Sequence, residues 1–460
     1  MNTATYMQGY LFTTLVVCGL AQYFTGVSAF LWLPFLLALG MVLLLPLQTR
    51  YSPLHLDHST TLLLVLFAGF FLLALLTTLL QNGVAVTIVG MKNELALSLI
   101  FPALLLGFCR ESQIYRITRC FYWVFYLQIP VVVYQILVVV PHRVAVKGEF
   151  EKWDSVVGTF GGDPLGGGNT GALGMFCLLI MLLKLSEFKY GLTSKGSLAL
   201  HLLLAFGLCV LGEIKFVIFL APLLLALVWL SPSYIRGMKS FDLKKLLLIA
   251  LGLALILALA VIILAASYSS AFGAGQTNGA LDLFLDSLSY IFDPHHINPE
   301  TGELGRMTTF FFWAANADLH GFSNVLFGYG LNTTNHGSTV APGYLNLVFN
   351  VLLDSTSLSM MLWELGLAGS VLFIALFGGA CALAWPKPLL ERAAMSEADV
   401  RLVSYQPAFV AFTIACLLSL PYSQLLMLIP MLQFLFYFVL GAMLVIRNAV
   451  YQVAQSGEAQ

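Results

Sequence analysis

Two basic residues stand in places where a charge needs a reason. Arg306 lies in the stretch 302–313 and is the only basic residue between positions 269 and 356. Lys215 follows Glu213 by two residues, in a short turn between two apolar runs. A guanidinium grips a phosphate or carboxylate with two parallel N–H bonds, and an ammonium acts on it as a point charge. The chemistry that suits both is holding an anionic group. Plainer readings stand beside it. Glu213 and Lys215 can pair to cap the turn. Arg306 can pair in water with a loop acid, among them Asp282, Asp286, Asp293, Glu300, Glu303, Asp318 and Asp354.

Composition says what kind of scaffold must position these residues. Of 460 residues, 60% are apolar and 9% charged, and mean hydropathy is +0.91. A soluble chain has roughly a quarter of its residues charged. This chain cannot cover itself in water. Its solvent is mostly lipid, where only helices and closed barrels satisfy their own backbone. The apolar runs are long and unbroken rather than alternating, which selects helices. A net charge of −1 implies no nucleic-acid partner. The seven cysteines lie in or beside apolar runs, with no metal-ligand spacing, and read as small apolar residues. The first apolar run follows no basic segment and reads as a first span, not a cleaved signal.

About twelve transmembrane helices are expected, at about 7–24, 28–46, 60–80, 94–108, 120–140, 170–186, 197–211, 216–230, 246–268, 357–380, 405–422 and 427–446. Lys and Arg set their orientation. With the N-terminus in the cytoplasm, 15 of the 21 basic residues fall inside. Only Lys92, Arg143, Lys147, Lys152, Lys215 and Arg306 fall outside. Both termini are therefore expected to be cytoplasmic. The chain divides into helices 1–9 over 1–268, with an outer loop at about 141–169, then a large outer loop over 269–356. Helices 10–12 over 357–446 and a cytoplasmic tail over 447–460 complete it. In the large loop, apolar residues recur at threes and fours over 281–292, which predicts an amphipathic helix on the membrane surface. The apolar stretch 344–353 is too short to span.

Other features carry less. The span centres hold almost no ionisable residue, which argues against a proton-coupled pump. His201, in a span, reads as a hydrogen-bonded structural residue. His295, His296, His320 and His336 lack metal-site spacing, so no metal and no cofactor are expected. The glycine-rich stretch 161–169 opens a span and could hold a phosphate on backbone N–H groups. It lacks the Gly-Lys-Ser/Thr ending of a P-loop, and a hinge is the plainer reading.

In order and spacing, four motifs resemble the superfamily of O-antigen ligases and O-antigen or capsule polymerases, the bacterial inner-membrane glycan transferases. They are Gly158-Thr159-Phe160-Gly161 opening the sixth span, and the hairpin turn with Lys215. Arg306 with Trp313 and Gly328-Tyr329-Gly330 is the third, and Trp363 to Gly369 is the fourth. Two departures stand out. Family members often carry Arg at the hairpin. Ligases typically carry a His-Asn or similar pair about nine residues before the last motif's Glu, where this chain has Ser355 beside Asp354.

The resemblance implies a GT-C-like glycosyltransferase in the inner membrane. It implies metal-independent, inverting sugar transfer on the periplasmic face from an undecaprenyl-diphosphate-linked oligosaccharide. Lys215 and Arg306 would bind the diphosphate, whose developing charge needs fixed cations. The acceptor hydroxyl must lose a proton, for which Asp354 is the first candidate and His336 the second. Arg143, Lys147, Glu213, Trp313 and Tyr344 are further candidates for binding substrate, the aromatics by stacking on sugars. The leading expectation is a polymerase that joins lipid-linked repeat units onto a growing polysaccharide, with chain-length and export proteins as partners. A ligase moving a finished glycan is the nearest alternative, and a lipid-linked oligosaccharide flippase is the alternative from another class.

Overall fold

The computed structural model describes residues 3–48, 56–148, 155–165, 169–238, 289–299, 301–337, 343–392 and 395–458, and isolated positions between 247 and 265. Every regular element among them is helical. Continuous apolar runs make helices α1 (Thr3–Thr25), α2 (Ser28–Pro46), α3 (His58–Leu105), α4 (Glu111–Lys147) and α5 (Thr170–Lys189). A hairpin of α6 (Lys195–Leu211) and α7 (Lys215–Leu230) follows. The connection to the last helices carries α8 (Thr308–Asn316), α9 (Phe322–Phe327) and α10 (Tyr344–Phe349). The chain closes with α11 (Ser357–Leu383), α12 (Glu397–Ser419) and α13 (Pro430–Gln455).

Among the described residues, eight helices are long and apolar enough to cross a membrane, namely α1 to α5 and α11 to α13. The protein is thus an all-helical polytopic membrane protein. The expected spans 60–80 and 94–108 belong to one helical stretch, α3, because the backbone turns at Gly83 without a loop. The spans expected at 197–211 and 216–230 are α6 and α7, of 17 and 16 residues. A perpendicular crossing takes about 20 residues. The span expected at 246–268 lies outside the described residues apart from scattered positions. So does the surface helix expected at 281–292, apart from Ser289–Phe292.

Helix starts are fixed by polar caps. Asp57 accepts the Thr60 N–H at 2.8 Å before α3, and Thr356 accepts the Ser359 N–H at 3.0 Å before α11. Such caps contribute about 1 kcal/mol each. Arg447 of α13 also reaches the Asp57 carboxylate. In α5, α12 and α13, 78% of the most apolar stretch is buried, against 22% in α2 and 28% in α3 and α4. The first three are therefore the centre of the bundle, and the others face lipid.

Two helices are broken where the loop after α9 passes. Gly83 in α3 (φ 77°, ψ −179°) and Gly366 in α11 (φ 66°, ψ −170°) adopt a backbone essentially closed to other residues. Breaking a helix frees backbone groups that lipid cannot satisfy, so protein must. The loop does so. The N–H groups of Tyr329 and Gly330 donate to the carbonyls of Trp363 and Glu364 at 2.8 and 2.9 Å. Gln81 and Asn82 donate to the carbonyls of Gly328 and Tyr329 at 2.8 and 2.7 Å. A Cβ at Gly328 would lie 2.3 Å from the Glu364 carbonyl, and one at Gly366 would lie 2.4 Å from that of Leu326. The Gly328-Tyr329-Gly330 motif is thus a fit of backbone against backbone.

His201 is held as expected of a structural residue. Its Nδ1 donates to the Ser197 carbonyl at 2.7 Å, which leaves Nε2 to accept from the Tyr126 hydroxyl at 2.8 Å. All seven cysteines are free. The 158–161 stretch is clamped by α4, with the Thr159 N–H bonded to Gln128 and the Gly158 N–H to Gln135, both at 2.8 Å.

Candidate functional site

The α6–α7 hairpin reverses in three residues. Glu213 takes a left-handed backbone (φ 53°), and the Ile214 N–H closes on the Cys209 carbonyl at 2.9 Å. A non-glycine residue in that conformation costs about 1–2 kcal/mol. The strained turn brings Lys215, two residues on, to the first position of α7.

Arg306 is set by a short ladder of backbone bonds. Gly305 N–H donates to the His296 carbonyl at 2.8 Å, and Leu352 N–H to that of Gly302 at 2.9 Å. The ladder ties the arginine's loop to the segment just before α11. The Arg306 guanidinium pairs with Glu303 at 3.2 Å and donates to the Ser355 carbonyl. It also lies over the rings of Tyr290 and Tyr422, at 5.7 and 5.9 Å.

These two constructions meet. Lys215, Glu213, Arg306 and Glu303 line one cavity of about 330 Å³, together with Tyr290, Tyr422 and Ser355. Two cations face two carboxylates, so side chains alone leave the wall neutral. Helix ends tip the balance. Thr170 and Gly171 open α5 on this wall, and Lys215 opens α7. Helix N-termini carry partial positive charge and unsatisfied N–H groups, which favour an anion.

Beside the cavity, His336 Nδ1 lies 2.6 Å from Asp354 Oδ2. Asp354 precedes Ser355 of the cavity wall. The Asp354 side chain is 3% exposed and that of His336 50%. The hydrogen bond to Asp354 raises the imidazole pKa above its ordinary value, against the opposing effect of burial. The charges of Asp354 and Glu303 add to the rise. Glu303 thus acts on both Arg306 and His336.

Sequence reasoning set Lys215 and Arg306 on one diphosphate and Glu213 beside Lys215, and in the structure all three line one cavity. It named Asp354 and His336 as rivals, and they are partners. The remaining candidates stand elsewhere. Arg143 is buried near Tyr23 at the end of α4, and Lys147 on the same helix is exposed; neither lines the cavity. Trp313 donates its Nε1–H to the Leu362 carbonyl at 3.1 Å. Both Trp313 and Tyr344 pack against Tyr329, Leu345 and Trp363. These aromatics support α11 rather than line the cavity.

The aromatic wall of the cavity, Tyr290, Tyr422 and Phe216, escaped the sequence reading, and Phe216 stacks on Tyr422 at 4.8 Å. The run Tyr422-Ser423-Gln424, polar in a turn between two spans, was the available signal. Glu94 escaped as well. Span interiors are less clean than expected, because Glu94 and Glu364 are both buried. Glu94 accepts the Asn332 N–H at 3.0 Å, and Glu364 accepts the Thr334 N–H and hydroxyl at 3.0 and 2.7 Å. The pair thereby holds the segment leading to His336. Among the described residues, no group of three or more His, Cys, Asp or Glu could hold a metal ion.

Comparison with protein-family models and with curated protein sequences returns no match.

Proposed function

We propose that the protein is a glycosyltransferase that polymerises undecaprenyl-diphosphate-linked oligosaccharide repeat units at the periplasmic face of a bacterial inner membrane. The observation that carries the reading is the shared cavity of Lys215 and Arg306, 91 positions apart in the chain, with two helix N-termini on its wall. An anion with two phosphates suits two cations and two helix ends. The same reading takes about twelve helices as spanning, both termini as cytoplasmic, and the architecture as GT-C-like.

The reaction balances without a redox partner. The acceptor hydroxyl oxygen bonds to the donor sugar's C1 from the face opposite the leaving group, and the bond from C1 to the diphosphate oxygen breaks. The lipid diphosphate leaves with that electron pair, and Lys215 and Arg306 stabilise its charge. The hydroxyl proton goes to His336 Nε2, while Asp354 holds Nδ1–H and stabilises the imidazolium. Asp354 is then the positioning residue and His336 the base. Tyr290 and Tyr422 offer faces for sugar rings.

A second reading is a ligase, which uses the same donor and the same chemistry. The His336–Asp354 pair favours it, since it supplies a histidine beside the position where the sequence lacks one. Incubating purified protein with a lipid-diphosphate oligosaccharide tests both. A ladder of longer lipid-linked glycans is expected. Reaction only after adding a second acceptor favours the ligase, and transbilayer movement without bond formation rejects both in favour of a flippase.

A further inference from the structure

A second cavity, of about 310 Å³, lies at the other end of the bundle. Helix α5 has Thr170 in the Lys215–Arg306 cavity and Lys184 in this one, and α12 likewise runs from Ser404 here to Ser419 there. Thr170 to Lys184 is about 21 Å of helix, roughly two-thirds of a bilayer's hydrocarbon core. The second cavity is therefore near the opposite membrane boundary.

Its chemistry is cationic and aromatic. Arg119, Lys184 and Arg401 line it against one carboxylate, Glu187. Lys184 pairs with Glu187 at 2.7 Å, which leaves the two arginines as the remaining cations of the lining. Arg401 pairs with Glu397 outside the lining and donates to the Tyr115 hydroxyl at 3.2 Å. Arg119 is exposed and lies over the Tyr115 ring at 5.9 Å. Trp123 and Tyr126 on the same wall are 71% and 40% exposed, although α4 is a membrane-spanning helix. Such amphipathic rings favour the headgroup level, with one end apolar and one wet. Alongside, α6 contacts Tyr126 through His201 and exposes Leu200 and Leu203, at 53% and 70%. A cationic pocket thus opens onto an apolar flank, which fits a ligand with a phosphate head and hydrocarbon tails.

We propose that this cavity binds the headgroup of an anionic phospholipid, with Arg119 and Arg401 on the phosphate and the acyl chains along α4 and α6. The proposal is independent of the chemistry at Lys215 and Arg306. To test it, full-length protein in detergent is titrated separately with phosphatidylglycerol, phosphatidylcholine and inorganic phosphate. Binding is read by tryptophan fluorescence and by lipid retention in native mass spectrometry. Phosphatidylglycerol is expected to bind at least ten-fold more tightly than phosphatidylcholine. Arg119→Gln combined with Arg401→Gln should weaken it at least ten-fold, and Arg119→Lys should retain most of it. Arg119 is exposed and the Arg401 side chain is 44% exposed, so these variants should fold, which size-exclusion elution checks. Equal binding of the two lipids, or undiminished binding by the double variant, overturns the proposal. Inorganic phosphate binding as tightly as the lipid overturns it too, in favour of a soluble phosphate ligand.

Discussion

The imidazole of His336 meets the carboxylate of Asp354 at 2.6 Å across 18 residues of chain. A buried carboxylate accepts a hydrogen bond and cannot give one unless protonated, so it fixes Nδ1 as the protonated nitrogen. The lone pair is left on Nε2. An exposed imidazole backed by a buried carboxylate is an arrangement for taking a proton from a hydroxyl.

The pairing sets the expected pH dependence. The Asp354 hydrogen bond holds the His336 pKa above 6.5. A base works only when unprotonated, so glycosyl transfer should rise with pH through that raised value and fall away below it. Asp354→Asn removes the cause. The rising limb should move to lower pH, and the plateau should drop by about 10²–10⁴-fold, the usual loss when general-base catalysis fails. A pH–rate profile of both proteins decides this. A limb that does not move would falsify the assignment of Asp354 as the partner that tunes His336.

Arg306→Ala should lower the rate of polymer formation by about 10²–10³-fold, the loss typical of one removed charge-stabilising donor. Arg306→Lys should fall between the two, because it keeps the charge and loses the planar guanidinium that grips a phosphate with two N–H bonds. Rates with purified lipid-linked donor give the answer. If alanine and lysine are equally inactive while elution stays normal, geometry rather than charge is what Arg306 provides.

Lys215→Ala should be comparably inactive, and Lys215→Arg should keep most of the activity. Glu213→Gly offers a companion measurement. It removes the carboxylate from the cavity and relieves the left-handed backbone of residue 213, so thermal stability should hold or rise. Activity that survives unchanged in Lys215→Ala would remove the ammonium from the anion site.

Gly366→Ala should destabilise the protein by at least about 1–3 kcal/mol from backbone strain alone, before the 2.4 Å approach to the Leu326 carbonyl is counted. Gly378→Ala, in the same helix where an added Cβ meets nothing within 4 Å, should be close to neutral. Thermal unfolding in detergent compares them. Equal melting temperatures would show that the break in α11 is not needed to seat the Leu326–Leu331 loop.

The sequence by itself determined the solvent and the element type. A chain with 60% apolar and 9% charged residues must lie in lipid, and lipid admits long unbroken apolar runs only as helices. It also singled out Lys215 and Arg306, because cations are scarce enough here for each to need a reason. Tertiary structure alone decided which residues meet. His336 reaches Asp354 because the preceding loop threads two glycine breaks, in α3 and α11, and those breaks leave no periodic trace in the sequence. Tyr422 and Tyr290 reach Arg306 from opposite sides in the chain, and Glu94 reaches Glu364 across 270 positions. Such contacts are set by packing between distant segments, while sequence patterns report only on neighbours along one helix. The cavity that Lys215 and Arg306 share is completed by helix ends, carboxylates and phenol rings that only the fold brings to them.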